Sequence, residues 1–557
     1  MNPSRELAQA VEAFQGGDLD RARSLAEQGL AEAASPPLEH LLGLIHCRKG
    51  DPSKGVEHLR SAAEAEPGNA AFKLMLIRAL VDSGRAGEVL AMPEPPPPST
   101  PADLALWYAR AEAADSAGEP EAAALVWSQL CDARPGDPRA WINLARSLLS
   151  LARYDEAEAA YRRALEIAPA DVDALHELGL TYNRTNRNDE LAALLDQALA
   201  AGLPKDRLAY LWALRLFRDG NADAALEQLL KAPREQDPAR WHRLRAKIAD
   251  STGDEAAAFE AAKEMNRAVP GFARWRARSH EHRAQLRELA ATITPEWAGR
   301  IRPLDPAESG AAPAFLVGFP RSGTTLLDTF LMGDPATMVL EEVPLLNQAS
   351  KTAGPLIGLP DWPNSKLEEI RSRYLQDLAH LGDCEGKLVV DKFPINLQSA
   401  PLIHALFAGS PVIFAQRHPC DAVLSGFMQN FVPNLGMANF LDLEDSADFY
   451  DCLMSVWTAS RACLGLNVRT VIYEELVTDP EPVLRGLLEF LGLAWDERVL
   501  DHRRTAEERG PVVTASFSQI PQPVTASAVG RWKRYEKQLE PVLPVLLPWA
   551  ERLGYRD

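Results

Sequence analysis

No apolar run in this chain approaches the roughly 18–20 residues that a membrane-spanning helix needs. The first residues, MNPSRELAQAVEAFQGGD, hold no apolar core of a secretory signal. Cysteine is scarce. The six present (Cys47, Cys131, Cys384, Cys420, Cys452 and Cys463) form no CxxC or Cys/His spacing, which argues against a disulfide scaffold and against a thiolate metal site. Free, mostly buried thiols are expected. An excess of cations is missing too: 59 Lys and Arg against 78 Asp and Glu leave a net charge of −19. That balance argues against general nucleic-acid binding, because phosphate contacts need clustered cations. It leaves room for a locally basic anion pocket. These absences predict a cytoplasmic protein with no membrane span, and at 557 residues one with two or more domains.

What is present first is a repeat. Gly50, Gly84 and Gly118 fall 34 residues apart, Gly220 lies three periods further on, and Pro67, Pro135, Pro169 and Pro270 keep nearly the same phase. A 34-residue period with a small residue at the inter-helix turn and a proline closing the second helix is the tetratricopeptide pattern. The clearest unit is PRAWINLARSLLSLARYDEAEAAYRRALEIAPAD, with Trp141, Leu144 and Ala145 packing from its first helix and Ala157, Tyr161 and Ala164 from its second. About seven or eight such units predict an all-α solenoid over residues 1–271. The run PEPPPPSTP at 93–101 interrupts it, since consecutive prolines cannot donate helix hydrogen bonds. A truncated second helix in the third repeat and a stiff connector are expected there. Residues 272–313 read as a basic capping helix, RWRARSHEHRAQLRELA, followed by a linker. From 314 to 557, short apolar runs such as KLVV, SPVIFAQ and NVRTVIY alternate with helical segments, the signature of a parallel α/β sheet.

The run AFLVGFPRSGTTLL at 314–327 carries the most chemistry. Phe315, Leu316 and Val317 predict a buried strand, Gly318 opens a tight loop, and a helix begins near Thr325. Strand, Gly-rich loop and helix N-terminus make a cradle for an anion. An NTPase loop would continue with Lys and Ser/Thr after the second glycine. Here Thr324 and Thr325 follow Gly323, and the cation is Arg321 inside the loop. Its planar fork suits a tetrahedral oxyanion. A phosphate or phosphosulfate is therefore expected without the apparatus for a γ-phosphate, which tells against a P-loop kinase. Three further places draw attention. In SPVIFAQRHPCDAVLSGFMQN, Arg417 ends a strand and Ser425 follows eight residues later. In VVDKFPIN, Lys392 sits just past a buried strand, where a charge calls for an anion. Glu341 and Glu342 stand 20 and 21 residues after Arg321.

These motifs resemble the sulfotransferases, most closely the tyrosylprotein sulfotransferases and their repeat-bearing bacterial relatives, which share PRSGTT. The resemblance implies a multidomain fold: an N-terminal all-α tetratricopeptide-repeat solenoid, then an α/β, P-loop-like parallel-sheet sulfotransferase domain. It implies 3′-phosphoadenosine 5′-phosphosulfate (PAPS) as donor and no metal. Pro320, Arg321, Ser322, Gly323, Thr324 and Thr325 would hold its 5′-phosphosulfate. Arg417, Ser425 and Tyr473, of the YE-x-L segment, would hold its 3′-phosphate. Ser516 and Arg531, from SFSQIPQP and GRW, would bind the phosphosulfate, with Arg531 where the family often has Lys. Glu342 would be the base, and Lys392, Arg321 and Ser516 would neutralise charge on the leaving phosphate. The chain departs from the family at Gln429, where a second Arg is common, and at Pro394, where cytosolic sulfotransferases have a catalytic His. His418 is the alternative base. After Glu342 the chain reads Val343-Pro344-Leu345-Leu346-Asn347-Gln348, without the arginines that read acidic peptides, so a tyrosine peptide, glycan, lipid or small phenol all stay open as acceptor. The repeat surface is expected to take a protein or peptide. The oligomeric state is left open, a homodimer included. The rival reading is a non-catalytic repeat scaffold whose C-terminal domain binds a nucleotide.

Overall fold

The computed structural model describes residues 3–305, 312–382, 384–508 and 525–556. By internal contacts the chain falls into two units: Met1–Asn183 with Arg187–Leu211, and Arg184–Asn186 with Trp212–Asp557. The first unit is helical throughout, built from pairs such as Pro36–Arg48 with Pro52–Ala65 and Pro138–Ser150 with Tyr154–Ile167. In the latter pair Ala157, Tyr161 and Ala164 are buried as their spacing predicts, while Trp141 stays partly exposed and donates its indole N–H to the Pro135 carbonyl at 3.1 Å. The inter-helix turns need a left-handed residue, and Gly50, Gly84, Gly118 and Gly220 supply it with φ of 80°, 74°, 71° and 79°. Ala152 and Asn186 occupy the two intervening 34-residue steps, also left-handed at 56° and 58°. A search for glycines passes over both.

The third repeat does lose its second helix, which shrinks to Gly87–Leu90. The proline segment after it is tied back by the next helix, Pro101–Ala117. Trp107 donates to the Pro96 carbonyl at 2.8 Å, and the Arg110 guanidinium donates to the carbonyls of Val89, Leu90 and Met92, each at 3.0 Å. Carbonyls orphaned by the broken helix thereby regain partners.

The second unit begins before the repeat pattern ends. Its helices Pro238–Ser251 and Glu255–Arg267 form one more pair, so packing and periodicity divide the chain at different places. The basic segment after them is a 21-residue helix, Phe272–Thr292. Its cations face acids on helix Leu443–Cys463: Arg283, 2% exposed, reaches Asp445 at 2.6 Å and Asp448 at 2.8 Å, and Arg276 reaches Asp445 at 2.8 Å. Those carboxylates account for much of the basic run.

Five strands follow: β1 (Ala314–Gly318), β2 (Thr337–Glu341), β3 (Leu388–Lys392), β4 (Pro411–Gln416) and β5 (Asn467–Ile472). All pair in parallel, in the order β2-β3-β1-β4-β5. β1 is central and buried throughout, which is why it reads as a continuous apolar run. Phe315 and Val317 join a core on one face with Tyr374 and Phe407, while Ala314 and Leu316 join Leu484, Leu487 and Leu488 on the other. No helix among the described residues is long and apolar enough to cross a membrane.

Candidate active site

Every candidate residue of the sheet domain that the structure describes, apart from Arg531, stands at or just beyond the C-terminal end of a strand or on the helix that follows. In an open parallel sheet this is the edge where ligands bind. β1 leads into Pro320–Thr325, β2 into Glu342, β3 ends at Lys392, β4 leads to Arg417, and β5 to Tyr473.

The loop after β1 enters helix Thr324–Met332, a nine-residue helix whose first-turn N–H groups lack acceptors within the helix. Gly323 caps it at φ 90°, and a Cβ there would sit 2.4 Å from the Tyr473 ring, so loop and ring approach only because the residue is glycine. Ser322, Thr324 and Thr325 are buried. Arg321 is left-handed at φ 73° and donates Nε–H to Ser425 Oγ at 3.2 Å. Burial pulls the pKa of its guanidinium down to about 10, the Arg417 charge acts the same way, and Tyr473 and Glu342 oppose them.

Arg417 donates to the Arg321 carbonyl at 2.9 Å and to the Ala528 carbonyl at 2.7 Å, and its guanidinium lies 4.6 Å over the Tyr473 ring. It is 7% exposed, and its Nε–H is a buried donor with no acceptor among the described residues. A buried donor left unsatisfied is costly. This one suits an oxyanion seated between the loop and Tyr473, as the expected donor nucleotide would provide. Ser425, Arg321, Arg417 and Tyr473 thus lie together.

The acid–base end is more crowded than the sequence suggests. Lys392 is wholly buried, and its ammonium lies 3.0 Å from Glu342 Oε1, 3.0 Å from Asp328 Oδ2 and 3.7 Å from Glu341 Oε1. Burial disfavours that charge, but Asp328, Glu342 and Glu341 outweigh it and raise the pKa above the ordinary lysine value. The anion that a lysine in this place calls for is therefore supplied first by the protein itself. Glu342 differs from the other two acids: its side chain is 41% exposed, and its backbone is left-handed at φ 52°, held by an N–H donated to the Lys392 carbonyl at 2.8 Å. Glu341, its neighbour in the chain, points into the same cluster.

Two candidates are engaged elsewhere. His418 caps helix Pro419–Phe427, accepting the Cys420 N–H at 3.3 Å, with its ring stacked on Trp532 at 5.2 Å and against Tyr555 at 4.9 Å. This packing leaves it poorly placed to act as a base. Arg531 pairs with Asp250 at 3.0 Å rather than joining the cations of the loop. Ser516 lies outside the described residues.

Three residues escaped the sequence reading. Asp328 is an acid inside the apolar helix TTLLDTFLM, a misfit that burial cost alone could have flagged. Asp421 accepts the N–H groups of Gly530 and Trp532 at 2.7 and 2.8 Å and so anchors the C-terminal segment. Glu474 accepts the His418 N–H and the Tyr555 hydroxyl, both at 3.0 Å. These side-chain hydrogen bonds of Asp421 and Glu474 are long-range, which no local pattern announces. Among the described residues no cluster suited to a metal ion occurs.

Residues 313–497 match the model of the sulfotransferase family, and residues 108–172 and 142–207 match that of the tetratricopeptide repeat. An uncharacterised protein of Aquifex aeolicus is 28% identical over 433 residues, 75% of this chain and 56% of its own length, so the chain spans little more than half of that relative. Protein-tyrosine sulfotransferase 1 of Danio rerio is 26% identical over 264 residues, 43% of this chain and 71% of that protein. Among solved structures, the sulfotransferase domain from the Synechococcus PCC 7002 olefin synthase is 22% identical, covering 42% of this chain and 91% of that one, with a TM-score of 0.29. The chain thus joins tetratricopeptide repeats to a segment of the sulfotransferase family and resembles the protein-tyrosine sulfotransferases.

Proposed function

We propose that the chain transfers a sulfuryl group from PAPS to an acceptor hydroxyl, with a protein or peptide presented by the repeats as the favoured acceptor. The donor supplies the sulfuryl group already activated as a phosphosulfate. The work left to the protein is positioning and charge stabilisation. Loop amides and Arg321 would hold the 5′ end, and Arg417, Ser425 and Tyr473 the 3′-phosphate. Glu342 would accept the acceptor's proton, and Lys392 would orient Glu342 and offset charge as the bond to the leaving phosphate breaks. No metal is invoked in these roles.

The observation that carries this reading is the Lys392–Glu342 contact at 3.0 Å, with an open carboxylate on a strained backbone beside a buried lysine. Strain of this kind collects at working sites. Glu342→Gln keeps the size and removes the basicity. Affinity for adenosine 3′,5′-bisphosphate, measured by calorimetry, is expected to survive, while transfer from labelled PAPS to a phenol or tyrosine peptide falls by roughly 10²–10⁴. Turnover near that of the unmodified chain would remove Glu342 as the base.

A further inference from the structure

Asp328 is buried beside the candidate base, yet none of the roles above uses it. It lies in the second turn of helix Thr324–Met332, just past the loop that would hold the donor's 5′ end, with Leu326, Leu327, Phe330 and Leu331 around it in sequence. A carboxylate wholly enclosed in such surroundings is costly unless an opposite charge meets it. Lys392, equally enclosed, does so: its ammonium stands 3.0 Å from Asp328 Oδ2. The contact is an ion pair rather than an aligned hydrogen bond. On the other side, the Thr329 hydroxyl, which donates to the Thr325 carbonyl at 2.7 Å, lies 3.2 Å from Asp328 Oδ1. Asp328 thus sits between the first turn of the helix and the lysine. The other charged groups facing Lys392 are Glu341, at the end of β2 and 3.7 Å away, and Glu342 just past it at 3.0 Å. Asp391, beside Lys392 on β3, turns to Tyr374 instead.

The two nearer acids differ in what the transfer asks of them. Glu342 is the open one, and its carboxylate takes the acceptor's proton as the new O–S bond forms. The bridging S–O bond of the phosphosulfate breaks in the same transfer and leaves its electron pair on the departing phosphate. Glu342 is then neutral, so Lys392 loses one counter-charge at the point where its own charge is needed. Asp328, 0% exposed and shut away from the acceptor, takes up no proton in this step. We propose that Asp328 is a positioning residue: it keeps the Lys392 ammonium charged and in place while Glu342 is protonated, and ties it to the helix that carries the donor loop. This rests on the PAPS reading above. Burial works against the charge on Lys392, and of the three acids that reverse this Asp328 acts most strongly.

Transfer from labelled PAPS to a phenol or tyrosine peptide, followed against pH with the full chain, tests this. Asp328→Asn keeps the size and removes the charge. Lys392, still buried, should then lose its proton more readily, so kcat should begin its alkaline fall at lower pH than in the unmodified chain. At about pH 8, kcat should drop roughly 10- to 100-fold, while affinity for adenosine 3′,5′-bisphosphate, measured by calorimetry, stays within about threefold. Asp328→Glu, which restores the charge, should move the alkaline fall back. Lys392→Met should lower kcat as well, and adding Asp328→Asn to it should cost at most about twofold more, because the aspartate acts through the lysine. An alkaline fall unmoved in Asp328→Asn, or losses that multiply in the double variant, would leave Asp328 a structural residue only. If the unmodified chain binds no bisphosphate, or transfers to no phenol or peptide, it is the PAPS reading that fails.

Discussion

Arg321 and Glu342 share a left-handed backbone with Ala152 and Asn186, but for a different reason. The latter pair closes helix turns, whereas the former are bent where chemistry is expected. Such a conformation costs a non-glycine residue on the order of 1–3 kcal/mol and persists only when the surroundings over-determine it. Here they do: the Arg321 carbonyl accepts Arg417 and its Nε donates to Ser425, while Glu342 is gripped at both its N–H and its carboxylate by Lys392. Asp391, next along β3, is 1% exposed, and burial lifts its carboxyl pKa from 3.8 to about 7, with the Tyr374 hydroxyl at 2.8 Å drawing it back somewhat. Between those values the folded chain holds more protons than the unfolded one. Stability therefore falls as pH rises through this window, by about 4 kcal/mol at the upper limit. Asp391→Asn keeps an oxygen for Tyr374 and removes the charge. Its melting temperature should exceed that of the unmodified chain at about pH 8 and gain little at about pH 4. An equal shift at both would mean that the carboxyl titrates normally.

Among the elements, the repeat turns were readable where they carry glycine and silent where they do not. Ala152 sits at φ 56° in a turn whose counterparts Gly50, Gly84 and Gly118 accept that geometry without steric cost. A Cβ in the left-handed region costs about 1–2 kcal/mol, and glycine's greater freedom in the unfolded chain returns about 0.5–1 of it. Ala152→Gly should therefore raise the thermal midpoint by roughly 1–3 °C, measured by circular dichroism. A fall would mean that the methyl group packs more usefully than its backbone strain costs. The strands of the sheet were legible for the opposite reason. Buried on both faces, β1 and β4 can hardly avoid reading as unbroken apolar runs. Helix Phe272–Thr292 was foreseen as basic, yet its use was not. Asp445 and Asp448, which neutralise Arg283, lie over 160 residues away in the chain.

At the scale of the whole molecule, the contact boundary at Leu211/Trp212 leaves the pair Pro238–Ser251 and Glu255–Arg267 with the sheet. Asn266, 2% exposed, spends its amide on two carbonyls of the sheet domain, and Asp250 holds Arg531 and Tyr535. A fragment starting at residue 212 should melt cooperatively and bind adenosine 3′,5′-bisphosphate. One starting at residue 272 should melt at least several degrees lower and bind more weakly, since it leaves those buried polar groups without partners. Equal stability of the two would put the working boundary at 272. The sequence by itself determined the repeats, the parallel sheet and where most of the candidate site residues lie, because these rest on local chemistry: left-handed turns at a fixed period, apolar strands, and motif residues at the strand ends. Tertiary structure alone decided that Lys392 is enclosed by three carboxylates and that Arg531 is held by Asp250. Each is an electrostatic relation between residues far apart in the chain. A charge's partner depends on distance in space, which no spacing along the sequence encodes.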